Sequence, residues 1–362
     1  MLDRITKAQA MMRDACESLG RQINIMEVCG THTVSIFRNG IRSALPEGIK
    51  LLSGPGCPVC VTDQGYIDVT LALAGRDDVI LATYGDMIRV PGKKTSLERM
   101  HRPNVKVVFS AEDALTLAKK HPEKTVVLVA VGFETTTPPT AVVVAEAQQQ
   151  GVENFCVLSG HKVVIPAMDA LLSGRNDKID AFLCPGHVSV IIGSDAYKPI
   201  VEKYRRPCVV AGFEPMQVIE GIAEICRQLK ENDPKVDSIY HAAVTKDGNK
   251  IAQKLVEDYF EPYDGCWRGL GVIPGGTLRL KEQYEKYDAQ KRFGIKKIPA
   301  EDATGCRCGE VLCGLIDPTD CGLFGKKCTP DEPVGPCMVS SEGACAAWYK
   351  YSVQRRRSAD SE

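Results

Sequence analysis

The sequence predicts an α/β protein with two small, doubly wound parallel-sheet domains and a cysteine-rich C-terminal segment. Between residues 20 and 230, short apolar runs alternate with segments whose apolar residues recur at helical spacing, which is typical of parallel sheets covered by helices. A length of 362 residues is enough for two or three domains. Seven of the 16 cysteines fall between Cys306 and Cys345, so the C-terminal region differs in composition from the rest of the chain.

Eight apolar runs predict the strands of the two sheets. They are Ile23–Val28, Ile49–Leu52, Val79–Thr83, Val105–Phe109, Val126–Val131, Phe155–Leu158, Ala181–Cys184 and Cys208–Ala211. The amphipathic segments between these runs predict helices at Thr33–Ser43, Asp63–Ala74, Glu112–Lys120 and Gln217–Lys230. Because strands and helices alternate, we expect right-handed crossovers and mostly parallel pairing.

A charged break at Lys120–Lys124 predicts the boundary between the two sheets. We therefore expect one α/β domain over residues 1–122, a second over 123–235 and a C-terminal segment over 236–362. The alternation of strands and helices fades after residue 231, and the glycine-rich stretch Trp267–Gly276 predicts a loop.

Composition and charge exclude several classes of function. Lys and Arg number 45 against 46 Asp and Glu, which argues against a nucleic-acid binder that relies on a broad basic surface. The start, Met1–Lys7, lacks the apolar core of a secretory signal, and the longest apolar run, Val126–Val131, is too short to span a bilayer. We therefore expect a cytoplasmic protein with no membrane partner, whose clustered cysteines serve metal or redox chemistry.

Polar, glycine-rich motifs follow the predicted strands. They occupy residues 29–33, 54–60, 84–86, 132–138, 159–162, 185–187 and 212–215. In parallel sheets, ligands bind beyond the carboxyl ends of the strands, so these motifs are the candidate site.

The C-terminal cysteines indicate a metal centre. A segment of about 40 residues, from Cys306 to Cys345, cannot build a packed core alone and needs a cross-link or a metal. No histidine follows His241, which favours an all-sulfur site. An iron–sulfur cluster is the first interpretation, while structural zinc, or cysteines that are only buried or disulfide-bonded, remain alternatives.

Cys57-Pro-Val-Cys60 predicts a redox-active dithiol. It lies between a predicted strand and a predicted helix, where the helix dipole lowers the pKa of a thiol and favours reversible disulfide formation. The alternative is half of a metal site, although no second pair lies nearby in the sequence.

Cys29 and His32 lie together at the end of the first predicted strand. A thiolate and an imidazole on one turn can bind a transition metal or act as nucleophile and base. An accidental pairing is the plain alternative. The other histidines have a plain alternative to a role in the site: His161 and His187 as hydrogen-bonded core residues, and three as surface residues, His101, His121 and His241.

Four motifs together closely resemble the HypD family of hydrogenase maturation factors. They are Glu27-Val-Cys-Gly-Thr-His-Thr, Gly54-Pro-Gly-Cys-Pro-Val-Cys, Gly132-Phe-Glu-Thr-Thr and Pro336-Cys-Met-Val-Ser-Ser-Glu-Gly-Ala-Cys-Ala-Ala-Trp-Tyr. They occur in the family's order and span nearly the whole chain. The resemblance implies a scaffold that works with a HypC-type chaperone and a HypE-type cyanide donor. Its cargo is an iron that receives cyanide and carbon monoxide ligands for nickel–iron hydrogenase.

The resemblance also implies roles for single residues. Cys29 would hold the iron with a cysteine of HypC, His32 would be a nearby ligand or proton donor, and Cys57 and Cys60 would be the dithiol. The family's Cys-x14-Cys-x6-Cys-x16-Cys pattern, which supplies the ligands of a 4Fe–4S cluster, matches four residues here: Cys306, Cys321, Cys328 and Cys345. Cys308 and Cys337 are possible substitutes, and Cys313 has no implied role.

Glu134, Asp86, His187 and Glu214 are expected to line the same cleft and to supply protons or hydrogen bonds. On this interpretation the protein is a metallocentre assembly factor with redox activity, unlike a conventional turnover enzyme. Two alternatives are a stand-alone iron–sulfur-dependent thiol-disulfide oxidoreductase and a zinc-stapled interaction module.

Overall fold

The strands form two parallel sheets and one antiparallel hairpin within the described part of the chain, which in this computed structural model is residues 2–174, 176–296 and 305–359. The strands are β1 Ile23–Glu27, β2 Ile49–Ser53, β3 Val79–Thr83, β4 Val105–Val107, β5 Thr125–Gly132, β6 Phe155–His161, β7 Ala181–Pro185, β8 Cys208–Ala211, β9 Val236–Ser238, β10 Phe260–Trp267 and β11 Gly271–Leu280. All eight predicted strands are confirmed, with ends that differ by up to three residues.

Helices connect the strands and cover both sheets. They are α1 Leu2–Leu19, α2 Gly30–Arg38, α3 Ile41–Ala44, α4 Pro58–Val61, α5 Gln64–Ala74, α6 Leu97–Met100, α7 Ala111–Lys120, α8 Thr137–Gln149, α9 Val164–Leu172, α10 Gly186–Ile192, α11 Lys198–Tyr204, α12 Pro215–Glu231, α13 Lys250–Tyr259, α14 Ala289–Arg292, α15 Cys308–Leu312, α16 Pro336–Val339 and α17 Ala344–Ala359. The helix predicted over Thr33–Ser43 is two helices, because Gly40 adopts a left-handed conformation with φ of 63°.

The first sheet has the strand order β2-β1-β7-β8-β9, and the second has the order β4-β3-β5-β6. Every pair in both sheets is parallel. The strands are buried on both faces, as in β5, where seven of eight residues are buried. Burial on both faces explains why these strands appear in the sequence as unbroken apolar runs.

The predicted domain boundaries do not match the sheets. β5 lies beyond residue 122 yet pairs with β3, and β7 and β8 join β1 in the first sheet. The second sheet is therefore a contiguous insertion between β2 and β7 of the first. The charged break near residue 122 is only a surface turn before β5, and surface turns within a domain have the same polar composition as linkers.

The region after residue 235 also differs from the prediction. β9 completes the first sheet, and the stretch expected to be a loop, Trp267–Gly276, is the turn and part of the β10–β11 hairpin. Gly269 and Gly271 have φ of 77° and 75°, which the tight turn requires. Of the C-terminal segment predicted over 236–362, only residues 305–359 are called the cysteine-rich segment from here on.

The two sheets share one hydrophobic core. It contains Met26 and Cys184 from the first sheet, Leu81 and Val129 from the second, and Cys337 from the cysteine-rich segment. The outer faces of the sheets are covered separately, by α1 and α12 on the first and by α7 and α8 on the second. The shared core fixes the carboxyl ends of the two sheets relative to each other.

Glycines allow the loops after β1 and β2 to pack together. Gly30 N–H donates a hydrogen bond to the carbonyl oxygen of Gly56 at 3.1 Å. A Cβ at Gly56 would overlap the backbone N and Cα atoms of Cys29. Because the obstructing atoms are backbone, a change of side-chain rotamer cannot relieve this overlap.

We expect Gly56→Ala to lower the free energy of unfolding by about 3 kcal/mol or more, at the upper end of overpacking effects. The matched control is Gly85→Ala, because a Cβ at Gly85 meets no atom within 4 Å. Urea unfolding followed by circular dichroism measures both variants. Equal midpoints for the two variants would show that the two loops are not packed as described.

Candidate functional site

Cys29 lies at the carboxyl end of β1, as the N-cap residue of α2. It lines a cavity of about 170 Å³ and is 8% exposed. The cavity is lined from the first sheet by Pro185 and His187, from the second by Phe133 and from the cysteine-rich segment by Glu342. Three parts of the fold thus meet at one thiol.

The Cys29 thiol is protonated near neutral pH. Burial raises its pKa to about 11, the Glu342 carboxylate adds to the rise, and the backbone amides of Thr31 and His32 oppose it. A metal ion binds the thiolate, so binding at Cys29 must release a proton.

The Ser340–Glu342 loop of the cysteine-rich segment closes over the cavity. Thr31 Oγ1 donates to Glu342 Oε1 at 2.6 Å, next to Cys29. On the second sheet, Asp86 Oδ2 accepts from Ser340 Oγ at 3.0 Å and from the backbone N–H of Ser341 at 3.2 Å. The loop therefore ties the cysteine-rich segment to both sheets at the candidate site.

Cys57 and Cys60 lie one helical turn apart, and Cys57 directly follows Gly56, which packs against the backbone of Cys29. Cys57 is the N-cap residue of α4, as the sequence predicts, and its Sγ accepts a hydrogen bond from the backbone N–H of Cys60 at 3.2 Å. Cys60 is fully buried, and burial raises its pKa well above the usual range of a thiol. The two cysteines are 3% and 0% exposed, so neither is open to a large substrate.

The dithiol continues into the cysteine-rich segment. Cys60 interacts with the thiol of Cys337, and Cys337 interacts in turn with Cys308 and Cys345. The contact with Cys308 is the largest cause of a raised pKa at Cys337. We call this series, Cys57–Cys60–Cys337–Cys308, the thiol row.

A small apolar pocket of about 10 Å³ lies at the far end of the thiol row. It is lined by all four predicted cluster ligands and one further thiol, namely Cys306, Cys308, Cys321, Cys328 and Cys345. A Cβ at Gly335 would lie 2.7 Å from the Cys306 sulfur and 2.9 Å from that of Cys308, so only glycine leaves these sulfurs room. The all-thiol, apolar donor set matches the ligand chemistry of an iron–sulfur cluster, and the pocket, at about 10 Å³, must widen to hold one.

Two of the remaining cysteines can now be placed. Cys308 lines the pocket, and Cys337 contacts two lining thiols, Cys308 and Cys345, so both are placed to substitute for a predicted ligand. Cys313 Sγ lies 3.6 Å from the carbonyl oxygen of Gly269, away from the lining. Among the described residues, no group of three Cys, His, Asp or Glu side chains is arranged around a single metal ion.

His32 is packed beneath the site. Its Nε2 lies 3.0 Å from the carbonyl oxygen of Gly212, and its ring lies 4.8 Å from that of Phe213. Burial lowers the pKa of His32 to about 4, so the ring is neutral at pH 7. It does not line the Cys29 cavity, whereas His187 does. His161 does not line the cavity either, because it lies in the core, where its Nε2 is 3.0 Å from Thr140 Oγ1. Burial lowers the pKa of His161 to about 3.

The acidic residues expected in one cleft have separate places. Glu134 Oε1 accepts from the backbone N–H of Val164 at 2.8 Å, at the start of α9. Burial raises the pKa of Glu134 to about 7, and its Oε2 has no partner. Asp86 holds the Ser340–Glu342 loop, while Glu214 is exposed at the start of α12. His187 alone of the four expected cleft residues lines the Cys29 cavity.

Sequence reasoning missed Glu27 and Glu342. Glu27 is fully buried, accepts from Ser53 Oγ at 2.8 Å and lies 3.8 Å from Arg42 Nη2. Burial raises the pKa of Glu27 to about 7 despite the nearby Arg42. Both carboxylates lie inside motifs of the resemblance, which was the available signal. The sequence does not show where these side chains point. The Glu27 carboxylate points towards α2, and the Glu342 carboxylate points towards Cys29.

Fold and site define a class of protein: an α/β protein that gathers thiols where the carboxyl ends of two parallel sheets meet a cysteine-rich segment. Comparison with known families assigns it further. The family model HypD, described as "Hydrogenase formation hypA family", matches residues 3–352. The chain belongs to the HypD family.

Named relatives are similar over nearly their whole length. The hydrogenase expression/formation protein HupD of Azotobacter chroococcum is 44% identical over 364 residues, which cover 98% of this chain and 96% of the relative. The hydrogenase maturation factor HypD of Azotobacter vinelandii has the same identity and coverage. HypD of Escherichia coli K12 is 44% identical over 92% of this chain and 90% of its own. None of the helices in the described residues is both long and apolar enough to cross a membrane.

We expect Glu134→Gln to change how stability depends on pH. The unfolded carboxyl ionises near pH 4.5 but the folded one near 7, so the wild type loses stability as pH rises through this window. Between pH 4.5 and 8 the variant should gain about 3 kcal/mol relative to the wild type. Urea unfolding at several pH values measures this, with exposed Glu153→Gln as the control. Parallel stability curves for Glu134→Gln and wild type would contradict the buried, protonated carboxyl.

Proposed function

We propose that this chain is a cytoplasmic scaffold and redox factor of nickel–iron hydrogenase maturation. It holds iron on Cys29 while cyanide and carbon monoxide ligands are installed, together with a HypC-type chaperone and a HypE-type cyanide donor. The observation that carries the proposal is the position of Cys29, in a cavity where both sheets and the cysteine-rich segment meet. Membership of the HypD family supports it.

The Cys29 cavity suits an iron substrate. A thiolate is a soft ligand that binds iron and leaves its other positions open. The volume of about 170 Å³ has room for an iron ion with a few diatomic ligands. Phe133, Val164 and Val188 give the walls an apolar part that limits competition from water. Because Cys29 is 8% exposed, a second thiolate from a partner can approach only from the cavity mouth.

An exposed apolar surface next to the cavity supports docking of a HypC-type partner. A second cavity of about 550 Å³ shares Pro58, Thr135 and Thr136 with the Cys29 cavity. At its rim Phe109 is 94% exposed, and Val107 of the edge strand β4 is 48% exposed. A large apolar side chain left exposed beside a cavity, as Phe109 is here, supports a protein–protein contact at this place.

The dithiol can supply the electrons that cyanide transfer requires. The sulfur–carbon bond of a thiocyanate on the HypE-type partner breaks, and cyanide bonds to the iron. Cys57 and Cys60 give up two electrons and two protons and become a disulfide. One proton goes to the partner's sulfur and the other to solvent, so electrons and atoms balance.

The thiol row offers a route by which the disulfide can be reduced again. Cys337 lies between Cys60 and Cys308, so thiol–disulfide exchange can pass along the row without exposure to solvent. A 4Fe–4S cluster, when held by Cys306, Cys321, Cys328 and Cys345, supplies single electrons at the end of the row. Burial of the whole row keeps its thiols from reacting with external oxidants.

The same burial argues against the alternative of a stand-alone thiol-disulfide oxidoreductase. Such an enzyme must present its attacking sulfur to the disulfide of another protein. Here Cys57 is 3% exposed and Cys60 is fully buried, and neither lines a cavity described around the site. A dithiol in this position is better suited to electron exchange with a neighbouring thiol, Cys337, than to attack on an external disulfide.

We expect Cys29→Ser to separate the two functions. Iron bound in the presence of the HypC-type partner, and hydrogenase activity in cells, should fall to background, since a serine hydroxyl does not replace a thiolate. Reduction of the Cys57–Cys60 disulfide and the iron–sulfur absorbance should persist. Cys16→Ser, in the partly exposed α1, is the matched control. Mature hydrogenase in the Cys29→Ser strain would overturn the scaffold proposal.

We expect Cys337→Ser to interrupt the thiol row. Dithionite should reduce the Cys57–Cys60 disulfide at least tenfold more slowly, because exchange between Cys60 and Cys308 loses its intermediate thiol. Thiol labelling and mass spectrometry at timed intervals measure the rate, and iron analysis reports whether the cysteine-rich pocket is intact. Cys313→Ser is the control in the same segment. An unchanged rate in Cys337→Ser would exclude the row as the route.

A further inference from the structure

Helix α17 of the cysteine-rich segment packs alongside α2, the helix that begins next to Cys29. The contact starts just before α17, where a Cβ at Gly30 would lie 2.5 Å from Glu342 Cβ and 2.6 Å from the Glu342 carbonyl oxygen. Further along both helices, the Phe37 ring of α2 meets the Trp348 ring of α17. The two helices therefore touch at both ends of α2, and one of these contacts is adjacent to Cys29.

Three aromatic rings and one guanidinium join the two helices. The Phe37 and Trp348 rings meet edge to face with centroids 5.2 Å apart, and the Phe37 and Tyr351 rings are stacked at 6.3 Å. The Arg42 guanidinium lies 4.9 Å from the Phe37 centroid and 5.2 Å from that of Trp348. Contacts between rings, and between a cation and a ring face, stabilise a packed pair beyond the burial of apolar area. We call these residues the aromatic cluster: Phe37, Arg42, Trp348 and Tyr351.

Arg42 connects the aromatic cluster to both strands that lead to the candidate thiols. Its Nη1 donates to the carbonyl oxygen of Leu51 in β2 at 2.9 Å, and its Nη2 lies 3.8 Å from Glu27 Oε1 in β1. β1 ends shortly before Cys29, and β2 ends shortly before Cys57. A planar guanidinium suits this position, because it can stack on rings and donate hydrogen bonds from its edge at the same time.

Ring contacts hold Trp348 in place. Its Nε1 is buried and forms no hydrogen bond with any of the described residues. A buried donor without a partner is unfavourable, so hydrogen bonding does not explain the position of this side chain. The contact of its ring with Phe37 and Arg42 does, and a phenylalanine can reproduce that contact in part.

We propose that Trp348 is a positioning residue for the Cys29 thiol. Through its contacts with Phe37 and Arg42, it fixes α2 against the helix that carries Cys345. Cys29 is the N-cap residue of α2, so a shift of this helix moves the Cys29 backbone directly. The inference rests on the proposed function, because an iron bound at Cys29 needs a thiol that is held in a fixed place. The cysteine-rich segment thereby controls how open the candidate iron site is.

The test is the rate at which iodoacetamide alkylates Cys29 in the full-length protein, measured by mass spectrometry with the partly exposed Cys16 as internal reference. Trp348→Ala should raise this rate roughly fivefold or more, because a loosened α2 opens locally and exposes a thiol that is buried in the wild type. Trp348→Phe should keep the rate within about twofold of the wild type, since it retains a ring against Phe37.

Arg42→Lys is the second variant, in case Trp348→Ala does not fold. A lysine keeps the positive charge but cannot stack on two rings, so the Cys29 rate should again rise, roughly threefold or more. Tyr284→Ala is the matched control, because it removes a half-buried ring that stacks on Tyr259 at 4.5 Å on the outer face of the second sheet. Its Cys29 rate should equal that of the wild type.

Wild-type alkylation rates in both Trp348→Ala and Arg42→Lys would overturn the proposal. So would an equal rise in Trp348→Phe or in Tyr284→Ala, because a general loss of stability would then explain the result. Alkylation needs neither iron nor a partner, so the positioning role is measured independently of the proposed function. Failure of the proposed function has a separate signature, which is a wild type that binds no iron at Cys29 although the alkylation rates of the variants rise as expected.

Discussion

The structure depends on one constraint, which is that two parallel sheets share a hydrophobic core and so present their carboxyl ends to each other. Parallel strands all end at the same edge of a sheet, and loops that follow strands of both sheets, at Cys29, Phe133 and His187, line one cavity. Glycines at the loops after β1 and β2 bring the backbones into contact, and the Ser340–Glu342 loop bonds to both sides. Cys29 lies at the centre of this arrangement.

Burial determines the chemistry of the thiols. A sulfur taken out of water holds its proton more tightly, and for this reason the pKa of Cys29 rises to about 11 instead of falling at a helix N-terminus. Such a thiol is unreactive until a metal displaces the proton. The same property protects the thiol row, whose members Cys60 and Cys337 are fully buried. Under the proposed function, the site is therefore inert until an iron and its partner arrive.

Local patterns in the sequence predicted the local structure. Val79–Thr83 and Cys208–Ala211 are strands with the predicted bounds, and Cys57 caps a helix as its position between strand and helix indicated. Which strands share a sheet could not be predicted, because pairing of β1 with β7 joins residues more than 150 positions apart. Single-sequence periodicity carries no information on such contacts.

The candidate site was predictable to a similar extent. The four predicted cluster ligands do line one pocket, and the resemblance to the HypD family is confirmed. The directions of side chains were not predictable: Glu134 turns to the amide of α9, and His32 turns to Gly212 beneath the site. Those directions follow from packing between elements distant in the sequence, as does the place of Cys337 between Cys60 and Cys308.

The central claim is that Cys29 holds an iron that carries cyanide and carbon monoxide. The most direct test is infrared absorption of the anaerobically purified protein after co-expression with its HypC-type and HypE-type partners, because cyanide and carbonyl stretches fall where protein hardly absorbs. The account predicts these bands in the wild type and their loss in Cys29→Ala. A wild-type complex without the bands, from cells that mature hydrogenase, would contradict it, as would bands that persist in Cys29→Ala.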